Sequence, residues 1–108
     1  MKRGTIVTVA LPGAYGKPRP ALVIQSDFFD EHPSVTVLPI TSDLRDTPLF
    51  RVRIAPTPEN GLYRESEIMI DKTATIPREK IGYPMGIADG ATMRAVDRCL
   101  SLFLGIAQ

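Results

Sequence analysis

Proline and glycine punctuation constrains this chain more than any other feature. Ten prolines and eight glycines are spread over its 108 residues. Each proline removes a backbone donor and clashes inside a helix, and the apolar stretches between these breaks are short. Short stretches rich in β-branched residues and bounded by turn formers read as strands. Residues 5–11, "TIVTVAL", place Val7, Val9 and Leu11 on one face. Residues 21–26, "ALVIQS", begin with a continuous apolar run, as a strand covered on both faces does. In residues 34–41, "SVTVLPIT", Pro39 lacks an N–H and is expected at a bulge or an unpaired position. Residues 49–54, "LFRVRI", alternate, with Phe50, Val52 and Ile54 facing a core and Arg51 and Arg53 facing out. Ile68 and Ile70 share a face in residues 66–71, "SEIMID", and a last short strand is expected near 84–88, "PMGIA". Between the strands at 49–54 and 66–71 lies "ENGL", a turn signal, because Asn-Gly accepts positive φ cheaply.

The C-terminal end has a different period. From Ala91 to Leu104, Met93, Val96, Leu100, Phe103 and Leu104 recur at helical spacing, with Arg94 and Arg98 on the opposite side. Asp89 is placed to cap the first turn and Gly105 to stop the last. The predicted fold class is therefore mainly β with one C-terminal α-helix. It has five or more short antiparallel strands forming a small barrel, closed by that amphipathic helix. Strands followed by a helix, in place of alternating βαβ units, argue against a Rossmann-type sheet.

Bulk properties narrow the function. A chain of 108 residues holds one core, so residues 1–108 are read as a single domain. Its net charge of +1 argues against a general polyanion binder, and any nucleic-acid contact has to come from a local cluster. The single cysteine, Cys99, excludes an internal disulfide and fits a reducing compartment. With one histidine, His32, and no gathering of carboxylates, no metal site or other cofactor is expected. The N-terminal apolar run falls far short of the roughly 20 residues of a membrane span. No membrane association is expected, and the protein is read as cytoplasmic.

The candidate chemistry begins at "GAYGKPRPALVIQSD", residues 13–27. Lys17 and Arg19 each precede a proline, which holds both extended. In extended backbone, positions two apart point to the same side, so local sterics tend to set the two cations together. An Arg fork beside a Lys point charge suits a phosphodiester. The alternative is a basic loop with no ligand. Thr41 and Ser42 end the third strand, where their hydroxyls either bond a phosphate or sugar or merely start a turn. Asp71 and Lys72 end "SEIMID", where an aspartate either orients an arginine, reads a base edge or caps a turn. Tyr15 is a candidate for stacking on an unpaired base, whereas His32, alone in a loop, is not assigned as a base.

Taken in order, "RGTIVTVAL", "KPRPALVIQSD", "SVTVLPITSDL", "IMIDKTATIPREKIG" and the final helix resemble the MazF/PemK family of toxin components. The likeness runs from about Arg3 to Ala107. It implies a small SH3-like barrel and a homodimer. It also implies a sequence-specific endoribonuclease that cuts single-stranded mRNA without a metal. The catalytic pair it implies is Arg19 and Thr41, with Asp71 contributing to the site. The RNA-binding set is completed by Tyr15, Lys17, Ser42 and Lys72. The implied partner is a cognate antitoxin whose flexible tail covers the RNA groove. The loop before Arg19 has no carboxylate, and Met69 stands where some relatives carry an arginine, which leaves the general base unassigned. Two other readings of the barrel remain open: a non-enzymatic toxin that binds and poisons DNA gyrase, and an SH3-like adaptor.

Overall fold

The computed structural model describes residues 1–10 and 17–107. Seven strands form one antiparallel sheet: β1 (Thr5–Val9), β2 (Arg19–Val23), β3 (Ser34–Thr41), β4 (Arg51–Ile54), β5 (Ser66–Met69), β6 (Ala74–Pro77) and β7 (Ile81–Ile87). One helix, α1 (Gly90–Phe103), follows them. The order is β4-β5-β3-β2-β1-β7, with β6 also paired to β3. These pairings run as an open path from β4 to β7, so the expected barrel is not hydrogen-bonded into a closed ring among the described residues.

Alternation in the central strands makes two cores. Ile6, Leu22, Leu38, Ile40 and Ile68 point to one face and pack with Val96, Cys99 and Leu100 of α1. Val7, Val9, Ala21, Val23, Val35, Val37 and Ile76 point to the other. A strand buried on both faces has no polar side to show, which is why β2 reads as an unbroken apolar run. Leu11, expected beside Val7 and Val9, lies outside the described residues.

β3 organises the sheet. Its Val37 pairs with Ala74 of β6, and its Ile40 pairs with Ile68 of β5. Two residues of β3 (38 and 39) therefore face five of the opposite segment (69–73). The excess is taken up by a 3-10 turn, Ile70–Lys72. Pro39 lies opposite this interruption. The N–H of Ile24 donates to Thr36 O, so by antiparallel alternation Thr36 and Leu38 face β2 while Val37 and Pro39 face the β5–β6 side. The residue without a donor thus sits where the ladder is broken, as expected.

Several expected boundaries shift for local reasons. The strand placed at 66–71 ends at Met69, because Ile70 and Asp71 enter the 3-10 turn. β2 starts earlier and ends earlier than residues 21–26. Past Val23, Ser26 caps a 3-10 turn at Asp27–Phe29, and the Gln25 side chain bonds Phe29 O, Ser34 O and the N–H of Thr36. β4 starts at Arg51, two residues later than expected, and β7 is longer than the "PMGIA" strand.

The helix ends follow their capping residues. The N–H of Thr92 donates to Asp89 Oδ1 at 2.8 Å, a bond worth about 1 kcal/mol. Gly105 has φ +74, and the N–H groups of Gly105 and Ile106 return to Leu102 O and Ser101 O, a Schellman closure. The apolar stripe is only partly buried, however. Val96 and Leu100 are inside and Met93 packs at the edge, while Phe103 and Leu104 are exposed with Leu102 and Ile106. The core beneath the helix ends at Leu100, and the last turn extends past it.

Candidate functional site

Register brings the leading residues together. Ala21 of β2 pairs with Pro39 of β3. That is the last pair of the β2–β3 ladder; Arg19 lies two residues beyond Ala21 and Thr41 two beyond Pro39, so strand alternation gives both the same face. Thr41 pairs in turn with Glu67 of β5, and Glu67 with Arg53 of β4. Directly paired residues project to the same face, so Thr41, Glu67 and Arg53 form a row across three strands, with Arg19 on the same side of the sheet. Arg19 and Thr41 open into a groove of about 980 Å³ that is also lined by Ser42, Asp43, Arg64 and Lys72.

Not every expected residue reaches this groove. Lys17 is exposed but does not line it. β2 begins at Arg19, and the alternation that would pair the two cations side by side operates only within a pleated strand. Asp71 is half-buried in the 3-10 turn, away from the lining, and its Oδ1 has no hydrogen-bond partner. Tyr15 lies outside the described residues. His32 is exposed and engages Ser34, outside the groove.

The groove's polar groups have distinct states. Among the described residues the side chains of Arg19, Arg64 and Lys72 have no ion pair, so their charge is available to a ligand. Thr41 Oγ1 accepts the N–H of Asp43 at 3.0 Å. The turn-starting role and a ligand role are therefore compatible: the hydroxyl oxygen is engaged and its hydrogen is left to donate. Asp43 is the only carboxylate lining the groove among the described residues. Its Oδ2 accepts from Arg45 Nη2 at 2.8 Å and Nε at 3.0 Å.

The β5–β4 part of that row is a charged hub that the strand pattern conceals. The Glu67 side chain is 3% exposed. Its Oε1 accepts from the Arg45 N–H at 2.9 Å and from Arg51 Nη1 at 2.8 Å. Its Oε2 accepts from Arg53 Nη2 at 2.9 Å and from the N–H of Asp46 at 3.2 Å. Arg51 Nη1 also donates to Asp43 O at 2.8 Å. These bonds, led by the Arg45 backbone N–H and then Arg51, pull the Glu67 carboxyl down to about 2. They also hold the loop after Thr41, including Asp46 at φ 53, a left-handed conformation costly for a non-glycine residue. Arg51 and Arg53 were expected to face solvent. They do point away from the helix, but towards a buried carboxylate, and Arg51 is only 11% exposed. The paired alternations of "RVRI" and "SEIM" put these charges on matching faces, yet the pairing of the two strands is a tertiary fact.

Among the described residues, seven antiparallel strands, one C-terminal helix and a groove whose cations have no ion pair beside a hydroxyl define a small mainly β protein with a cation-lined cleft. Residues 2–104 match the model of the PemK-like, MazF-like toxins of type II toxin-antitoxin systems, and the chain belongs to that family. It is 51% identical, over 99% of each chain, to a Mycolicibacterium smegmatis protein named probable endoribonuclease MazF. Its fold superposes on Mycobacterium tuberculosis toxin MazF-mt6 with a TM-score of 0.82, at 26% identity over 96% of this chain and 99% of that one. A mycobacterial endoribonuclease solved with its cognate antitoxin matches with a TM-score of 0.84 over 100% of this chain and 98% of that one. At 21% identity, that last match speaks for the fold alone.

Proposed function

We propose that this single-domain protein is the toxin of a type II toxin-antitoxin pair and cuts single-stranded mRNA without a metal. The observation that supports the reading is that Arg19 and Thr41 line one groove whose other cations, Arg64 and Lys72, have no ion pair among the described residues. The 51% identity to a protein named as an endoribonuclease supports it.

The nucleophile is the RNA's own 2′-OH. Its oxygen forms a bond to the adjacent phosphorus as the bond to the 5′-oxygen breaks. The 2′ proton is released and the leaving oxygen gains one, giving a 2′,3′-cyclic phosphate and a 5′-OH end. Arg19 stabilises the charge that builds on the pentacoordinate phosphorane and is placed to protonate the leaving oxygen. A donor aimed at developing charge contributes roughly 3–4 kcal/mol. Thr41 donates its free hydroxyl hydrogen to a phosphate oxygen, while Ser42, Lys72 and Arg64 hold the flanking backbone. An arginine is a poor base, and the Asp43 carboxylate is engaged by Arg45. Rate enhancement therefore rests on positioning and electrostatics. In this reading the exposed Leu102, Phe103, Leu104 and Ile106 are surface for a second copy, and an antitoxin tail competes with RNA for the groove.

The test is incubation of purified protein with a long mRNA in EDTA. Discrete fragments with 5′-OH ends are expected, DNA of the same sequence should stay intact, and Arg19→Ala should abolish cutting while leaving thermal unfolding unchanged. Intact RNA, or an Arg19→Ala variant that cuts at the parental rate, refutes the mechanism. Intact RNA with inhibited gyrase would favour the non-enzymatic reading.

A further inference from the structure

A second cleft, of about 460 Å³, adjoins the groove and shares Leu62, Tyr63, Tyr83 and Met85 with it. Its walls are the loop before β5, with Pro56 and Pro58, and the edge strand β7, with Pro84. None of these residues is used in the proposed cleavage.

The cleft is rigidly built. Asn60, buried in the loop, accepts the N–H groups of Thr57 and Leu62 at Oδ1 and donates from Nδ2 to Ala55 O. Its own N–H donates to Thr57 Oγ1 at 3.0 Å. The loop is pressed onto β7, where the N–H of Ile87 donates to Glu59 O at 2.9 Å. Two glycines allow that approach: a Cβ on Gly61 would lie 2.3 Å from Met85 O, and one on Gly86 2.4 Å from Glu59 O. Three prolines, an internal asparagine hub and two obligatory glycines thus fix a surface feature whose floor, Leu62 and Met85, is anchored in the first core.

On this frame stand two tyrosines that nothing holds. Tyr63 is 90% exposed and Tyr83 64% exposed. Their rings do not pack on each other or on another aromatic ring among the described residues. Neither hydroxyl has a hydrogen-bond partner in the described structure. Arg64, next in the chain after Tyr63, lines the adjoining groove and carries no ion pair there. Free aromatic faces over an apolar floor, one residue from a free guanidinium, match the alternation of base and phosphate along a single strand.

We propose that this cleft is a nucleobase subsite: Tyr63 and Tyr83 stack one unpaired base flanking the cut while Arg64 takes its phosphate. The assignment rests on the endoribonuclease reading and extends it, because it names the residues that set where the strand is gripped away from the scissile phosphate. The backbone that carries the two tyrosines is preformed, so the ordering cost of that contact is confined to their side chains and the RNA.

The experiment uses the full-length protein and a single-stranded RNA oligonucleotide spanning a mapped cut site. The attacking hydroxyl is blocked by 2′-O-methylation, and one base at a time is replaced by an abasic nucleotide. Wild-type affinity should fall about tenfold at one flanking position, equivalent to about 1.4 kcal/mol. Tyr63→Ala and Tyr83→Ala should bind the intact oligonucleotide about tenfold more weakly and lose all sensitivity to that abasic position. Tyr63→Phe and Tyr83→Phe should restore both, with unfolding midpoints unchanged throughout. The proposal is overturned if the abasic penalty persists undiminished in the alanine variants. It is equally overturned if those variants bind RNA normally and lose only the binding of an acidic peptide, which would assign the cleft to a protein partner. If wild-type protein neither cuts nor binds any RNA, the endoribonuclease reading fails and the subsite with it.

Discussion

Replacing Glu67 by alanine should destabilise this protein more than any other single change outside the apolar cores. The carboxylate is 3% exposed and accepts from two guanidinium groups and two backbone N–H groups. Alanine removes all of these acceptors at once. The losses are unequal. Arg53 is 43% exposed and regains water, so its contribution is that of a surface pair, about 1 kcal/mol or less. Arg51 is 11% exposed and keeps only Asp43 O, leaving a buried cation without a counter-charge. Breaking a buried pair from one side costs about 3–5 kcal/mol. The retained carbonyl contact and the recoverable backbone N–H groups place this case near the lower end, about 3 kcal/mol. For a domain of this size 1 kcal/mol shifts Tm by about 4–8 °C, so a fall of about 12–24 °C is expected. Thermal unfolding by circular dichroism measures it. A fall under about 4 °C would refute the view that Glu67 is the counter-charge on which the β4–β5 face and the loop after Thr41 depend. A double replacement, Glu67→Leu with Arg51→Met, removes both buried charges and should recover much of the loss.

Further expectations follow from the same contacts. Glu67 titrates at about 2 in the folded chain against 4.5 ordinarily. Its stabilisation is then complete above about pH 4.5 and lost as the pH falls through 2; urea midpoints measured against pH should show this slope in the parent and a shallower one in Glu67→Ala, where Asp89, its carboxyl also lowered by the Thr92 N–H, still contributes. Asp89→Ala removes the acceptor for the Thr92 N–H and should cost about 1 kcal/mol, readable by urea titration. Gly86→Ala drives a methyl onto the carbonyls of Glu59 and Asn60 and should cost about 1–3 kcal/mol, detaching the loop from β7 and raising amide exchange at Ile87. A Gly86→Ala variant with unchanged exchange there would show that the loop is not held by that approach.

Much of the fold is legible in the chain because it is written at short range. Alternation in "TIVTV" and "RVRI", the helical stripe from Met93 to Leu100, and the caps Asp89 and Gly105 are each decided within a few residues. The short β6 and the three 3-10 turns escaped, because "TATIP" and "IDK" have no periodicity of their own; β6 forms where β3 offers an edge. Phe103 and Leu104 share the helix's apolar stripe yet are exposed, because periodicity reports which face is apolar, not how far the core beneath it extends.

Short-range pattern supplies the residue types that can meet a phosphate and the strand ends that carry them: Arg19 before a proline, Thr41 at the close of β3. Only the tertiary structure decided which of them meet. The β2–β3 pairing brings Arg19 and Thr41 to one groove, the five-against-two mismatch opposite Pro39 turns Asp71 away from it, and the pairing of β4 with β5 converts two arginines from solvent charges into partners of Glu67. A strand's side-chain period is local, but its neighbour, its register and its breaks belong to the whole sheet.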